Sequence, residues 1–241
     1  MSNTLNLVIP GDTITINEPI ENSDITLGPN ILLSNDQSTL LPSSSGIFIN
    51  QKTNKNSSLF YIDSAHGRYI PQVGDLVIGT IIGQFGEYYK VSLNESSCVV
   101  LLNIFAFPNA SKKNRPRLQI RDLIYARVSI AEKNIEAELS CIDAVTGKDG
   151  GFGVLNGGYC FNVSTAYSRF LLFSPNALIL SKLVEKIKFE IAIGVNGKIW
   201  IKSDDSKSTM FCVYVISESE NWKQPEINEN FDKLVKQFKK L

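Results

Sequence analysis

Between Tyr69 and Asp143 the apolar residues fall into five runs of strand length: DLVIGTIIG, EYYKVSLN, SCVVLLNIFAF, DLIYARVSIAE and IEAELSCID. In EYYKVSLN the alternation is strict, which turns Tyr89, Val91 and Leu93 inward and Tyr88, Lys90 and Ser92 outward. The preceding segment reads differently. Short runs LVIPGD, TITI, GIFIN and LFYID are broken by turn residues, and the polar QKTNKNSS predicts one long flexible loop between the last two. After the Gly-rich joint TGKDGGFG the spacing lengthens. A strand YCFNV, a helix around AYSRFLL, a helix ALILSKLVEKIK, strands FEIAI and KIWIK, a further strand at MFCVYVI and a closing helix INENFDKLVKQFKKL are expected. In that last helix Ile227, Phe231, Leu234, Val235, Phe238 and Leu241 share one face, a core stripe, and Lys239 and Lys240 suit the negative end of its dipole.

These patterns predict a multidomain, mainly β protein with an α+β part. The domains are a small N-terminal β domain (1–63), a five-stranded barrel (64–145) and an α+β domain (146–241). Five strands whose longest insertion precedes the fourth suit an OB-type barrel, a fold that holds oligonucleotides on strands two and three and the neighbouring loops. On that surface Tyr88 beside Lys90 offers a ring to stack on a base and an ammonium to meet phosphate. A second reading has Tyr88 covering a neighbouring strand or meeting another subunit.

The insertion NASKKNRPRL places Lys112, Lys113, Arg115 and Arg117 within six residues, with no acid among them. Asn114 and Pro116 keep it out of regular structure, so it reads as a mobile basic loop able to make about two to four phosphate contacts. The alternatives are an ordinary solvated loop or one docked on an acidic partner protein. Lys52 and Lys55 in QKTNKNSS read as a solvated hairpin tip.

The order strand, two helices, two strands, helix matches a KH domain. There the nucleotide clamp, Gly-x-x-Gly, joins the two consecutive helices. Here that junction is LLFSPNAL, which has no glycine, and the Gly-x-x-Gly of the chain, Gly194 to Gly197, lies between two strands. Asn196-Gly197 flanked by apolar residues predicts a two-residue type I′ hairpin. That register puts Phe189, Ile191, Ile193 and Val195 on one face with Lys198, Trp200 and Lys202, and Ala192 and Gly194 opposite Ile199 and Ile201. With apolar surface on both faces, one side takes the helices. The other, around Gly194, Asn196, Gly197 and Trp200, packs on a neighbouring domain, with Gly194 allowing close approach.

Composition narrows the chemistry. The 241 residues are 43% hydrophobic, enough for two or three small cores, and 24 Lys plus Arg balance 24 Asp plus Glu, so any attraction to nucleic acid must be local. No signal peptide pattern and no apolar run near the roughly 20 residues of a membrane span is found, so a nuclear or cytosolic protein without membrane association is expected. Cys98, Cys141, Cys160 and Cys212 are scattered among apolar neighbours and read as buried free thiols. His66 is the only histidine and stands in a polar run, and no phosphate loop or nucleophile elbow occurs. No cofactor, metal or small-molecule substrate is expected. An RNA hydrolase would need clustered carboxylates, and Asp204-Asp205 and Glu218 with Glu220 sit in runs read as solvated turns.

Several stretches together carry a resemblance: PGD at Pro10–Asp12, RYIPQVGDLVIGTI at Arg68–Ile81, FPNASKKNRP at Phe107–Pro116, an interrupted GDG-GFG at Gly147–Gly153, and IAIGVNGKIW at Ile191–Trp200. Over essentially its whole length the chain resembles the ribosomal RNA-processing protein 40 family of RNA exosome cap subunits. The resemblance implies a non-catalytic subunit with an N-terminal domain, an RNA-binding barrel of the ribosomal-protein-S-one type and a KH domain. It also implies a seat on a ring of six RNase PH-like proteins beside two other cap proteins. Such a cap helps hold the ring together and passes single-stranded RNA toward the central channel for 3′–5′ processing and degradation. Ribosomal RNA maturation is included, in nucleus, nucleolus and cytoplasm. The polar stretch 34–58 and SESENW depart from the family pattern, and no contact is carried over to them. The alternative is a free-standing RNA-binding module associated with ribosomes or translation, which would bind RNA tightly and with steep salt dependence on its own.

Overall fold

The computed structural model describes residues 6–15, 24–36, 39–54, 57–64, 68–94, 99–111, 113–132, 134–143, 146–148, 150–174, 177–222 and 226–238. The chain divides into two units, 1–66 and 67–241.

The first unit holds two small sheets. One has the order β1 (Leu7–Val8), β6 (Gly46–Asn54), β7 (Ser57–Asp63), β3 (Asp24–Leu27); the other has the order β2 (Ile14–Thr15), β5 (Thr39–Pro42), β4 (Ile31–Leu33). Its core is Val8, Ile31, Leu40, Phe60 and Ile62, with the Phe48 ring stacked 5.9 Å from that of Phe60. The long loop expected at QKTNKNSS is instead strand for most of its length. β6 and β7 pair as far as Asn54 and Ser57, because an antiparallel ladder satisfies polar backbone whatever the side chains are. Lys55 lies outside the described residues, as does the Lys52 side chain.

The second unit begins with the barrel, whose alternating strands bury one row of side chains inside. Strands β8 (Leu76–Phe85), β9 (Tyr88–Ser92), β10 (Val99–Asn103), β11 (Leu123–Ile130) and β12 (Glu138–Ser140) run β12-β10-β9-β8-β11, and β12 returns to pair with β11, which closes the cylinder. A short β13 (Gly153–Leu155) extends the sheet on the outer side of β11. Tyr89, Val91 and Leu93 are buried in the barrel core, as the alternation of EYYKVSLN demands.

The α+β part follows as β14 (Tyr159–Asn162), α1 (Thr165–Phe173), α2 (Leu178–Lys186), β15 (Phe189–Ile193), β16 (Lys198–Ser203), α3 (Ser206–Ser219) and α4 (Ile227–Phe238), with sheet order β14-β16-β15. The Ser164 hydroxyl caps α1 by accepting from the Tyr167 amide at 3.1 Å. In α4, Ile227, Phe231, Leu234, Val235 and Phe238 all pack into the core of this part. Leu241, Lys239 and Lys240 lie outside the described residues.

MFCVYVI is helix, not strand. It lies within α3, which buries Phe211, Cys212, Val213, Val215 and Ile216 and exposes Met210 and Tyr214. A helix covered on several sides loses its polar stripe, and its apolar run then imitates a buried strand. Glu218 is helical, so the turn expected there is replaced by α3, while Glu220 caps the helix end and lies in the turn that follows.

The β15–β16 pairing also differs from the expected register by one residue. Ile191 faces Ile201, Ala192 faces Trp200 and Ile193 faces Ile199. The loop is therefore three residues long. The Gly197 amide donates to the Gly194 carbonyl at 3.1 Å across Val195 and Asn196, and Gly197 has φ +82°. Asn196 is not in the left-handed region, which excludes the type I′ turn and gives a type I turn followed by a left-handed glycine. The slip moves every side chain to its proper face. The four isoleucines point to the helices, and Ala192 and Trp200 point to the barrel.

Candidate nucleic-acid interface

The outer face of β9 follows from its alternation. Tyr88 is half-buried and Lys90 exposed, while Tyr89 between them is buried. The two-residue turn Gly86-Glu87 sets Phe85 opposite Tyr88 in register, and Asn103 of β10 flanks Tyr88 on the other side. Phe85 is 74% exposed, and the Lys90 ammonium sits 5.8 Å from its ring centroid. Phe85 had gone unnoticed in the sequence, although FGEY, an aromatic on each side of a Gly-containing pair, is a signal for two rings brought face to face. A ring this exposed next to a cation presents a stacking platform and a phosphate contact together.

The basic insertion is bonded to the barrel at several points. Lys113, Arg115 and Arg117 are exposed, and Lys112 lies outside the described residues. Asn114 and Ser111 bond each other's backbone at 3.1 and 3.0 Å, and the Asn114 amide also meets the Ser111 hydroxyl at 3.1 Å. The Arg115 guanidinium lies 5.7 Å from the Phe105 ring centroid. The Tyr89 hydroxyl, reaching out of the barrel core, donates to the Pro116 carbonyl at 2.8 Å and accepts from the Leu118 amide at 3.4 Å. Among its described residues the loop has no helix or strand, as its composition predicts, and Pro116 and Leu118 are bonded to the barrel end through a side chain rather than a strand. One strand, β9, contributes Tyr88 and Lys90 to the outer face and Tyr89 to the loop.

Gly194, Asn196, Gly197 and Trp200 stand elsewhere, between the α+β part and the barrel. Asn196 is 3% exposed, and its amide Nδ2 donates to the carbonyls of Ile78 and Leu93, both at 2.9 Å, while its Oδ1 accepts from the Ile78 amide at 3.3 Å. The β8–β9 ladder begins at the Thr80–Ser92 pair, and the Asn196 side chain bonds strand groups just before it. The Val195 amide adds a bond to the Leu76 carbonyl at 2.8 Å. A Cβ on Gly194 would collide with Asn196 Oδ1 and lie 2.8 Å from the Ile78 nitrogen; one on Gly197 would lie 2.6 Å from the Val163 oxygen. Trp200 is 4% exposed, packs with Ile78 and Ala192, and donates its indole N–H to the Gly157 carbonyl at 2.8 Å. This Gly-x-x-Gly is therefore filled by protein. The α1–α2 junction, where a KH clamp sits, brings no glycine and exposes Phe173 and Leu178 at its ends.

The described thiols are held in their protonated form. Burial pushes the Cys141 thiol up to about 12 and the Cys212 thiol up to about 11. Cys160 is raised by burial against a smaller opposing pull from Lys198. Cys98 and His66 lie outside the described residues. Burial, and then the Asp75 carboxylate that accepts its proton at 2.7 Å, holds the Tyr69 phenol well above its ordinary value. Among the described residues no three His, Cys, Asp or Glu side chains are placed to hold a metal ion, and no helix is long and apolar enough to cross a membrane.

Known proteins match this arrangement part by part. The family described as the S1 domain of exosome complex component RRP40 matches residues 69–153, and the KH domain family matches 158–207. The barrel and the α+β part are thus an S1 domain and a KH domain. Exosome complex component RRP40 of Saccharomyces cerevisiae is 43% identical over 212 residues, 88% of this chain and 87% of the relative. Its counterpart in Drosophila melanogaster is 37% identical over 230 residues, 95% of each. A crystal structure of a candidate exosome complex RNA-binding protein superposes with a TM-score of 0.53 over 71% of this chain and 95% of that one, at 22% identity, a likeness of fold. With a relative 43% identical across 88% of the chain and the family's S1 domain matched at residues 69–153, the chain belongs to the exosome complex component RRP40 family.

Proposed function

We propose that the chain is a non-catalytic cap subunit of the RNA exosome that binds single-stranded RNA on its barrel, helps hold an RNase PH-like ring together and guides RNA toward the central channel. The observation that carries this reading is the pairing of two surfaces on one strand. Phe85, Tyr88 and Lys90 form an aromatic-cationic face, and the tied loop with Lys113, Arg115 and Arg117 leads away from the same strand. Stacking tolerates any base and cations follow the phosphates, so the surface suits passage of RNA without regard to sequence. The KH domain acts as a structural partner in this reading, because its Gly-x-x-Gly is occupied by the barrel. A balanced net charge fits an RNA site that is weak alone and strengthened by neighbouring subunits. Ribosomal RNA maturation and RNA degradation in nucleus, nucleolus and cytoplasm follow as its biological setting.

The test is affinity purification of the tagged chain at moderate salt, with mass spectrometry of stoichiometric partners. Six RNase PH-like subunits and two further cap proteins are expected. Recovery of the chain alone, or with ribosomes, overturns the assembly role. Purified protein that degrades RNA in magnesium, and loses this with Asp204→Asn, overturns the non-catalytic one.

A further inference from the structure

We propose that Tyr89 is a positioning residue for RNA binding, acting through the basic loop rather than by touching RNA. This rests on the barrel being the RNA-binding surface. The Tyr89 ring is 4% exposed and belongs to the barrel core, a place that Phe would fill with the same shape. What Phe lacks is the hydroxyl, and the hydroxyl is spent on the loop: one bond out to the Pro116 carbonyl, one in from the Leu118 amide, on the two sides of Arg117. Among the described residues between Asn103 and Leu123 there is no strand, so the course of the chain there draws on such side-chain ties. Ser111 with Asn114 closes the front of the loop and Phe105 carries Arg115; next to Arg117 the Tyr89 hydroxyl ties Pro116 and Leu118, alongside the packing of Leu118 on the barrel core and the bond from the Arg121 amide to the Ile81 carbonyl at 2.8 Å. Binding through a flexible loop pays the entropy of ordering its side chains and backbone on contact, and a loop already ordered does not. Tyr89 thereby turns a run of cations into a prepared phosphate-binding rim. The direct contacts are made by Lys113 and Arg117.

The experiment uses the full chain and a fluorescein-labelled oligouridylate of roughly 12 nucleotides, within the span one barrel covers. Anisotropy titrations at several salt concentrations compare the parent, Tyr89→Phe, the pair Lys113→Ala with Arg117→Ala, and all three changes together. Tyr89→Phe is expected to weaken binding about three- to tenfold while leaving the salt slope close to the parent's, because the same phosphates are still met after the loop is ordered. The lysine and arginine pair is expected to flatten the slope by about 1.4. In that background, which keeps Lys112 and Arg115, Tyr89→Phe should cost clearly less than it does in the parent. Limited trypsin digestion reads the loop without RNA: cleavage after Lys113 and Arg117 should quicken in Tyr89→Phe, with the melting temperature within a few degrees of the parent. Parent-like affinity and parent-like trypsin resistance in Tyr89→Phe would reduce Tyr89 to a core residue. A loss as large in the Lys113→Ala, Arg117→Ala background as in the parent would mean that it acts elsewhere. If the parent binds RNA but the charge pair changes nothing, Tyr89's role falls while RNA binding on another face stands; if the parent does not bind at all, the proposed function itself fails in the isolated chain and the positioning role with it.

Discussion

Two short segments that each turn on an asparagine, the basic SKKNRPR at 111–117 and GVNG at 194–197, do opposite work. The first is exposed, and its backbone is tied down by a tyrosine from inside the barrel; the second is buried, and its own asparagine reaches into the barrel to bond two strands. Both are ordered by one side chain that replaces a missing strand neighbour. The difference lies in which partner is buried. Where the anchoring side chain belongs to the core, the loop stays on the surface with its charges free for solvent or ligand. Where it belongs to the loop, the loop is consumed as an interface. A Gly-x-x-Gly therefore reports backbone approach, and only its surroundings say whether the approaching partner is a phosphate or the protein itself.

The comparison breaks most visibly at Trp200. Trp200→Ala empties a packed site and leaves the Gly157 carbonyl unpaired, so a loss of about 3–5 kcal/mol, roughly 10 °C or more in melting temperature, is expected, while RNA affinity stays near the parent's. A fall in affinity with unchanged melting would make the buried turn a binding site after all. Next comes Asn196→Ala, which strands the Ile78 amide and the Ile78 and Leu93 carbonyls in a dry interface; about 2–4 kcal/mol should be lost in chemical denaturation. Gly197→Ala places a Cβ on a left-handed backbone 2.6 Å from the Val163 oxygen, and its cost of about 1–3 kcal/mol should be visible in the same melts. On the exposed segment the ranking reverses. Lys113→Ala with Arg117→Ala should move the melting temperature by no more than about 2 °C yet weaken oligouridylate binding most strongly at low salt. The smallest effect is at the thiols. Folded protein at neutral pH should leave Cys141 and Cys212 unalkylated by iodoacetamide, since their folded values stand at about 12 and about 11 and the thiol, not the thiolate, is held. The sign follows: this contribution to stability is whole below the unfolded thiol's value near about 8.5 and is lost as pH climbs toward the folded values.

Much of the fold was readable because the signals are local. Alternation in EYYKVSLN fixes which of Tyr88, Tyr89 and Lys90 are outside, and the stripe from Ile227 to Phe238 fixes the inner face of α4. The failures share a cause. MFCVYVI is apolar on nearly every side because the sheet and α4 both cover α3, so its period was erased by packing. Asn196-Gly197 signals a turn in any context, but the choice between two and three loop residues was made by the Asn196 amide, whose partners Ile78 and Leu93 lie more than a hundred residues away in sequence. Phe85 escaped notice because exposure of an aromatic follows from what fails to cover it.

By itself the sequence determined the five barrel strands with their inward and outward rows, the place of the basic insertion and the absence of glycine at the α1–α2 junction, since each depends on neighbours within a few residues. Only the tertiary structure decided that the basic loop is bonded by the Tyr89 hydroxyl and that the Gly194 turn is filled by its bonds to Ile78 and Leu93. A hydrogen bond between distant segments exists only after the chain has folded, and no local spacing announces which buried donor will meet which acceptor.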